Sequence, residues 1–212
     1  MIPNKTPTGI LFRDDREKRR LESRNGVIQA RYVVYLVREN NGEASPLTPE
    51  VLLEMQRLAI NQTYRCAGHF RDGSVALSGA AHKPPEYTEV DTLVRDMCAY
   101  LGASWGEESA IHLASYVMWR HNWIHPFFGG NGRTSRAASY LVLCAKLGFE
   151  LGGELTIPEL VVREREKYRR ALIEADQAWA AGHLDLTTMK ALMEDLLAEQ
   201  LLSIHNQATG KQ

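Results

Sequence analysis

Three cysteines in 212 residues, Cys66, Cys98 and Cys144, are an odd number with no CxxC pair. They exclude a disulfide framework and fit a reducing, cytoplasmic compartment, which is the expected location. Charge of one sign is missing as well. Lys and Arg number 25 against 26 Asp and Glu, giving a formal net charge of -1 and a pI near 6.7. No electrostatic footprint for nucleic acid or for an anionic membrane follows from that balance, so partners must be recognised locally. No apolar run is long enough to cross a bilayer, and the first residues lack the apolar core of a signal peptide. Internal repeats and low-complexity tracts are absent too. What is present is a composition of 44% hydrophobic and 24% charged residues, enough for one well-buried unit.

Helical signals dominate the chain. Residues 12–24 mix acids and bases as a solvated helix face does, and 27–37 is an apolar-rich run readable as strand or buried helix. Thr48-Pro49-Glu50 opens a helix with a hydroxyl cap and proline at the first position, and Leu52, Met55, Leu58 and Ala59 supply its buried stripe. Gly73 and Gly79 bracket a short run, Ser74 to Ser78, that reads as a small β-hairpin. Helical spacing returns over 86–100 and 107–123, the latter apolar on most faces, and again over 137–147, 157–181 and 185–202. The expected fold class is therefore all-α with one small hairpin.

Between two buried helices lies His125-Pro-Phe-Phe-Gly-Gly-Asn-Gly-Arg-Thr-Ser-Arg136. Glycines at 129, 130 and 132 let the backbone approach a ligand, and a helix starting there aims free N–H groups at it, as phosphate binding requires. Arg133 and Arg136 are three apart and share a helix face, so both can reach one anion. His125 stands at the other end of the turn as a base, and Pro126 disfavours helical geometry at the histidine.

This segment resembles the signature of the Fic (Fido) family, HPFx(D/E)GNGRxxR, at every fixed position except one: Gly129 occupies the acidic position. The resemblance covers roughly residues 48–180 by pattern, and it includes Tyr64 to Arg71 and Val75 to Pro85 upstream. It implies a Fic-type helical bundle with a β-hairpin flap, divided as an N-terminal extension (1–47) of regulatory role, a core (48–181) and a C-terminal helix (182–212). The implied activity is adenylyl transfer from ATP to a hydroxyl side chain of a target protein, with pyrophosphate released. His125 would be the base. Gly129, Gly130, Asn131, Gly132, Arg133, Thr134 and Arg136 would bind the phosphates, and Tyr168, in Lys167-Tyr168-Arg169, would stack on the adenine. The flap, Ser78, Gly79, Ala80 and Ala81, would dock an extended piece of the target by strand addition.

The family's acidic residue holds a divalent cation, Mg2+ or Mn2+, and Gly129 offers no ligand atom. Three alternatives stay open: a cation held by nucleotide and water, a carboxylate from elsewhere, or a substrate other than ATP. A catalytically weak nucleotide-binding module, or transfer of another phosphate-containing group, is the alternative function. Many relatives carry an inhibitory (S/T)xxxE(G/N) helix whose glutamate pairs with the second signature arginine; Leu21 to Gly26 and Tyr35 to Asn40 are inexact counterparts, offering Glu22 or Glu39 to Arg136. His121 and His125 have a zinc-binding spacing, but no third ligand accompanies them and no metal site is assigned. The four tryptophans read as core, and the terminal helices either finish the fold or form a homodimer contact.

Overall fold

A computed structural model describes residues 9–77 and 82–210 of the chain. Eight α-helices and one short 3-10 turn account for the regular structure among these residues. Helix α1 (Asp15–Glu39) starts at Asp14, whose carboxylate accepts from the Glu17 N–H at 2.7 Å. Its buried positions recur every fourth residue: Leu21, Asn25, Gln29, Val33 and Val37. Two of these are amides that serve the end of α2 (Pro49–Ile60): Gln29 Nε2 donates to Met55 O at 2.9 Å, and Asn25 Nδ2 to Asn61 O at 2.7 Å. They satisfy carbonyls that a helix end leaves without partners. Thr48 caps α2 by accepting from the Val51 N–H at 3.2 Å.

After the 3-10 turn Tyr87–Glu89 come α3 (Val90–Ser104), α4 (Ala110–Ile124) and α5 (Asn131–Leu147). The α4/α5 pair is the most extensive packing in the fold, with α1, α2 and α6 against α5 and α3, α7 and α8 against α4. Nine consecutive α4 residues, Leu113 to His121, are buried, as expected of a helix surrounded by others. The run read as one helix over 157–181 is two, α6 (Ile157–Arg163) and α7 (Arg165–Ala180), because Glu164 leaves helical geometry at ψ 37°. Helix α8 (Thr187–Thr209) completes the fold through Met189, Leu192, Met193 and Leu196. Fully buried Gln200 ties it to its neighbours, accepting from Ile157 N–H at 2.9 Å and donating to Tyr140 Oη at 2.8 Å and to Gly152 O at 2.9 Å.

The expected β-hairpin is not found among the described residues, whose one β-type contact is the isolated bridge Ile10 to Tyr64. Residues 74–77 are irregular, and Ser78, Gly79, Ala80 and Ala81, the docking positions, lie outside the described residues. Both ends of the segment are tied to other elements. His82 Nε2 donates to Trp123 O at 2.7 Å, and Arg71 bonds Gly73 O at 3.2 Å and Pro85 O at 2.5 Å. Among the described residues no helix is both long and apolar enough to cross a membrane.

Candidate active site

Helix α4 ends at His125, which adopts a left-handed backbone (φ 49°, ψ 60°) and gives its N–H to His121 O at 2.9 Å. A side chain other than glycine costs about 1–2 kcal/mol there, so something must hold it. Arg71 does so. It is 3% exposed, and its guanidinium donates to His125 O at 2.9 Å and Ile124 O at 3.4 Å besides Gly73 and Pro85, while its N–H reaches Pro126 O at 2.9 Å. A planar fork with several fixed donors is suited to gathering carbonyls from three separate segments. Burial lowers the pKa of Arg71, with Glu86 opposing. Residue-by-residue reading missed this arginine, although it stands in the stretch Tyr64 to Arg71 that resembles the family.

Burial, followed by the Arg71 charge, pushes the His125 imidazole down to about 4, so the ring is neutral at pH 7. His121, one turn earlier, is fully buried with neither ring nitrogen partnered, and burial takes it to about 3. It packs on Phe127 at 5.8 Å between ring centres and belongs to the core. No group of three His, Cys, Asp or Glu suited to a metal occurs among the described residues.

The turn after His125 is braced from inside. Asn131 accepts from Phe127 N–H at 3.1 Å and donates to Phe127 O at 2.7 Å, so its amide shapes the loop and is not presented to a ligand. Gly130 has φ +82°, and a Cβ there would stand 2.8 Å from Ile60 Cγ2; only glycine fits. Fully buried Gln56 fastens the loop to the segment after α2, donating to Gly129 O at 3.1 Å and accepting from Gly68 N–H at 2.6 Å. Gly129 itself is under no such constraint: its φ is ordinary and nothing lies within 4 Å of a Cβ built on it.

Helix α5 makes its first backbone bond from Thr134 N–H to Gly130 O at 2.9 Å, which leaves the amides of Asn131, Gly132 and Arg133 ahead of the helical ladder. That turn is the candidate anion cradle. Arg133 donates to Ala59 O at 2.8 Å and faces Glu22 of α1 at 3.4 Å. Arg136 folds over the cradle, its Nη1 3.3 Å from where a Gly132 Cβ would be, and burial lowers its pKa, with Tyr168 favouring the charge and Arg133 opposing it. Among the described residues no carboxylate pairs with Arg136. Glu22 thus meets the first signature arginine, not the second. Glu39 lies at the far end of α1, about 25 Å along the axis. Thr134 is fully buried with its hydroxyl unpartnered, so it exposes no oxygen at the surface of the site.

Tyr168 of α7 receives a bond from Asn122 Nδ2 at 2.8 Å on its hydroxyl, beside Ser135 and Arg136. On the other side of His125 opens a cavity of about 140 Å³, bordered by Leu77, His82, Trp123, Arg169, Leu172 and Asp176 among others. Trp119 Nε1 donates to Asp176 at 2.9 Å, and burial raises that carboxyl. The structure therefore brings His125, the α5 turn, Arg133, Arg136 and Tyr168 together, while the Asn131 amide is taken up by its own loop and the Thr134 hydroxyl is buried.

Residues 46–143 match the model of the Fic/DOC family. Among solved structures, a Fic domain-containing signalling protein from Bacteroides thetaiotaomicron is 20% identical with a TM-score of 0.68, covering 90% of this chain and 73% of that one. Fic-1 (residues 134–508) from C. elegans is 21% identical with a TM-score of 0.65, covering 99% of this chain and 55% of that one. The N-terminal Fic domain of a putative cell filamentation protein from Bartonella quintana, with bound ADP, is 20% identical with a TM-score of 0.61, and 92% of each chain is covered. At these identities the likeness establishes the fold. With the matched segment containing both the His125 turn and the α5 cradle, the chain contains a domain of the Fic/DOC family.

Proposed function

We propose that this protein is an adenylyltransferase that moves AMP from ATP to a hydroxyl side chain of a target protein. The observation that carries the reading is a neutral base, His125, held at the end of α4 beside a helix start that presents free amides and two guanidiniums. The target hydroxyl oxygen attacks the α-phosphorus, its proton passes to the imidazole, and the bond from the α-phosphorus to the β-bridging oxygen breaks to release pyrophosphate. A base lowered to about 4 holds no proton at pH 7 and is ready to accept one. The α5 amides with Arg133 and Arg136 oppose the charge gathering on the phosphates, and the Asn131 brace keeps the loop in the shape that presents them. Tyr168 contributes at the nucleoside side. That a Bartonella quintana relative is described with bound ADP and the BepC protein of Bartonella tribocorum with AMPPNP supports nucleotide as ligand. We place the reaction in the cytoplasm, in keeping with three free thiols.

A second reading, a nucleotide-binding module of weak catalytic power or a transferase of another phosphate-containing group, is favoured by Gly129 alone. The test is transfer of radiolabel from ATP labelled at the α-phosphate to the protein and to cell lysate, comparing native protein with His125→Ala. Label that disappears in the variant is the expected result. Native protein that binds ATP without transferring label would support the module instead.

A further inference from the structure

We propose that the nucleotide phosphates are bound here without a protein-held divalent cation, Arg133 and Arg136 supplying the side-chain counter-charge, and that Gly129 is the position that sets this. The proposal rests on the nucleotide reading above. The residues present do not fit the Mg2+ or Mn2+ that the family implies.

The side-chain oxygens and nitrogens around the cradle are committed elsewhere. Both amide atoms of Asn131 are on Phe127, both of Gln56 are on Gly68 N–H and Gly129 O, and the Ser135 hydroxyl donates to Gly132 O at 3.2 Å. The Thr134 hydroxyl is fully buried. The carboxylate that does reach the cradle, Glu22, is on Arg133, where it meets a cation already. Residues 1–8, 78–81 and 211–212, outside the described residues, contain no Asp or Glu in their sequence. A hard divalent cation takes oxygen ligands, carboxylate first, and among the described residues the carboxylate at the cradle, Glu22, is already paired with Arg133.

Glycine at 129 is not there for the backbone. Gly130 must be glycine for its positive φ and its contact with Ile60, whereas Gly129 has an ordinary φ and open space around its Cβ. A carboxylate would fit at 129, and its omission removes a cation ligand without serving the fold. Two fixed guanidiniums within one turn can meet a polyphosphate in the cation's place, because Arg matches phosphate oxygens with paired donors and keeps its charge at any working pH.

The experiment is ADP binding by calorimetry at constant ionic strength, in excess Mg2+ or in EDTA, for native protein, Gly129→Asp and the neutral control Gly129→Asn, each checked for an unchanged melting temperature. Native protein and Gly129→Asn are expected to bind as tightly in EDTA as in Mg2+, within about threefold, while Gly129→Asp loses affinity in EDTA and regains at least about tenfold with Mg2+. Native affinity that rises tenfold or more with Mg2+ would overturn the proposal and point to a ligand such as Asp72, exposed on the segment leading away from Arg71. A Gly129→Asp protein that gains nothing from Mg2+ would overturn the assignment of position 129. Absence of ADP and ATP binding in every protein and condition would instead overturn the nucleotide reading itself, and this proposal with it.

Discussion

Replacing Arg71 is the sharpest test of how this site is built. Its guanidinium donates to four carbonyls, those of His125, Ile124, Gly73 and Pro85. A hydrogen bond of this kind is worth about 1 kcal/mol net, so Arg71→Met, which keeps the buried volume, should cost about 3–4 kcal/mol, less whatever water repairs. For a chain of this size that is a fall in melting temperature of roughly 6–16 °C. His125 would lose the contact that holds its left-handed backbone, and a displacement near 1 Å in a reacting group costs on the order of 100-fold in rate. A second readout separates this from general loosening. Arg71 is the second cause, after burial, of the lowered His125 pKa, so Arg71→Met should raise that pKa from about 4 while burial keeps it below 6.5. Arg71→Lys keeps the charge but not the fork, so it should lose stability while leaving His125 depressed. Thermal unfolding and an NMR titration of the imidazole measure both quantities. A loss under about 1 kcal/mol for Arg71→Met, or a His125 pKa that does not move, would refute the clamp.

Gly130→Ala forces a side chain into positive φ and onto Ile60, so it should destabilise by about 2–3 kcal/mol, while Gly129→Ala should stay within about 0.5 kcal/mol in the same melting experiment. Glu22→Gln frees Arg133 from a partly exposed ion pair; stability should change by less than about 1 kcal/mol, but ADP binding should tighten a few-fold as a competing carboxylate is removed. Equal affinity would show that Glu22 does not compete for the cradle. The transfer rate should stay flat as pH falls from 7 and drop only near 4, where His125 acquires a proton. Stability behaves differently: His121 and His125 have folded values of about 3 and about 4 against 6.5 ordinarily, so the unfolded chain binds more protons across that window. Stability must therefore fall as pH falls below about 6.5, which acid titration of the unfolding free energy would record.

The signature and the Thr48-Pro49 helix start were legible because each is a short pattern whose function is local. Helix α1 was not legible as one element. Its buried stripe contains the amides Asn25 and Gln29, whose burial makes chemical sense only once the α2 carbonyls they serve are in view. Arg71 escaped for the same reason: an arginine reads as surface, and its partners are carbonyls of residues 14 to 54 positions away as well as neighbours. The break at Glu164 carries no glycine or proline to announce it. In the site, the identity of Asn131 was readable but its direction was not, because an amide in a turn can face a ligand or brace its own loop with equal chemical sense.

The two halves of the site are held by different parts of the chain. His125 is fixed by Arg71 and, through it, by both ends of the 71–85 segment. The cradle is fixed from the opposite side: Arg133 rests on Ala59 O at the end of α2, and that same end is gripped by Asn25 and Gln29 of α1, with Glu22 one turn before Asn25. Movement of α1 would consequently reach the arginine without reaching the base. Changes in α1 or at Glu22 should therefore alter nucleotide affinity and leave the His125 pKa in place, whereas Arg71→Met should shift that pKa with little change in ADP binding. Independent supports of this kind make their free-energy effects additive, and a double variant of Glu22 and Arg71 departing from additivity by more than about 0.5 kcal/mol would show that the halves are mechanically joined.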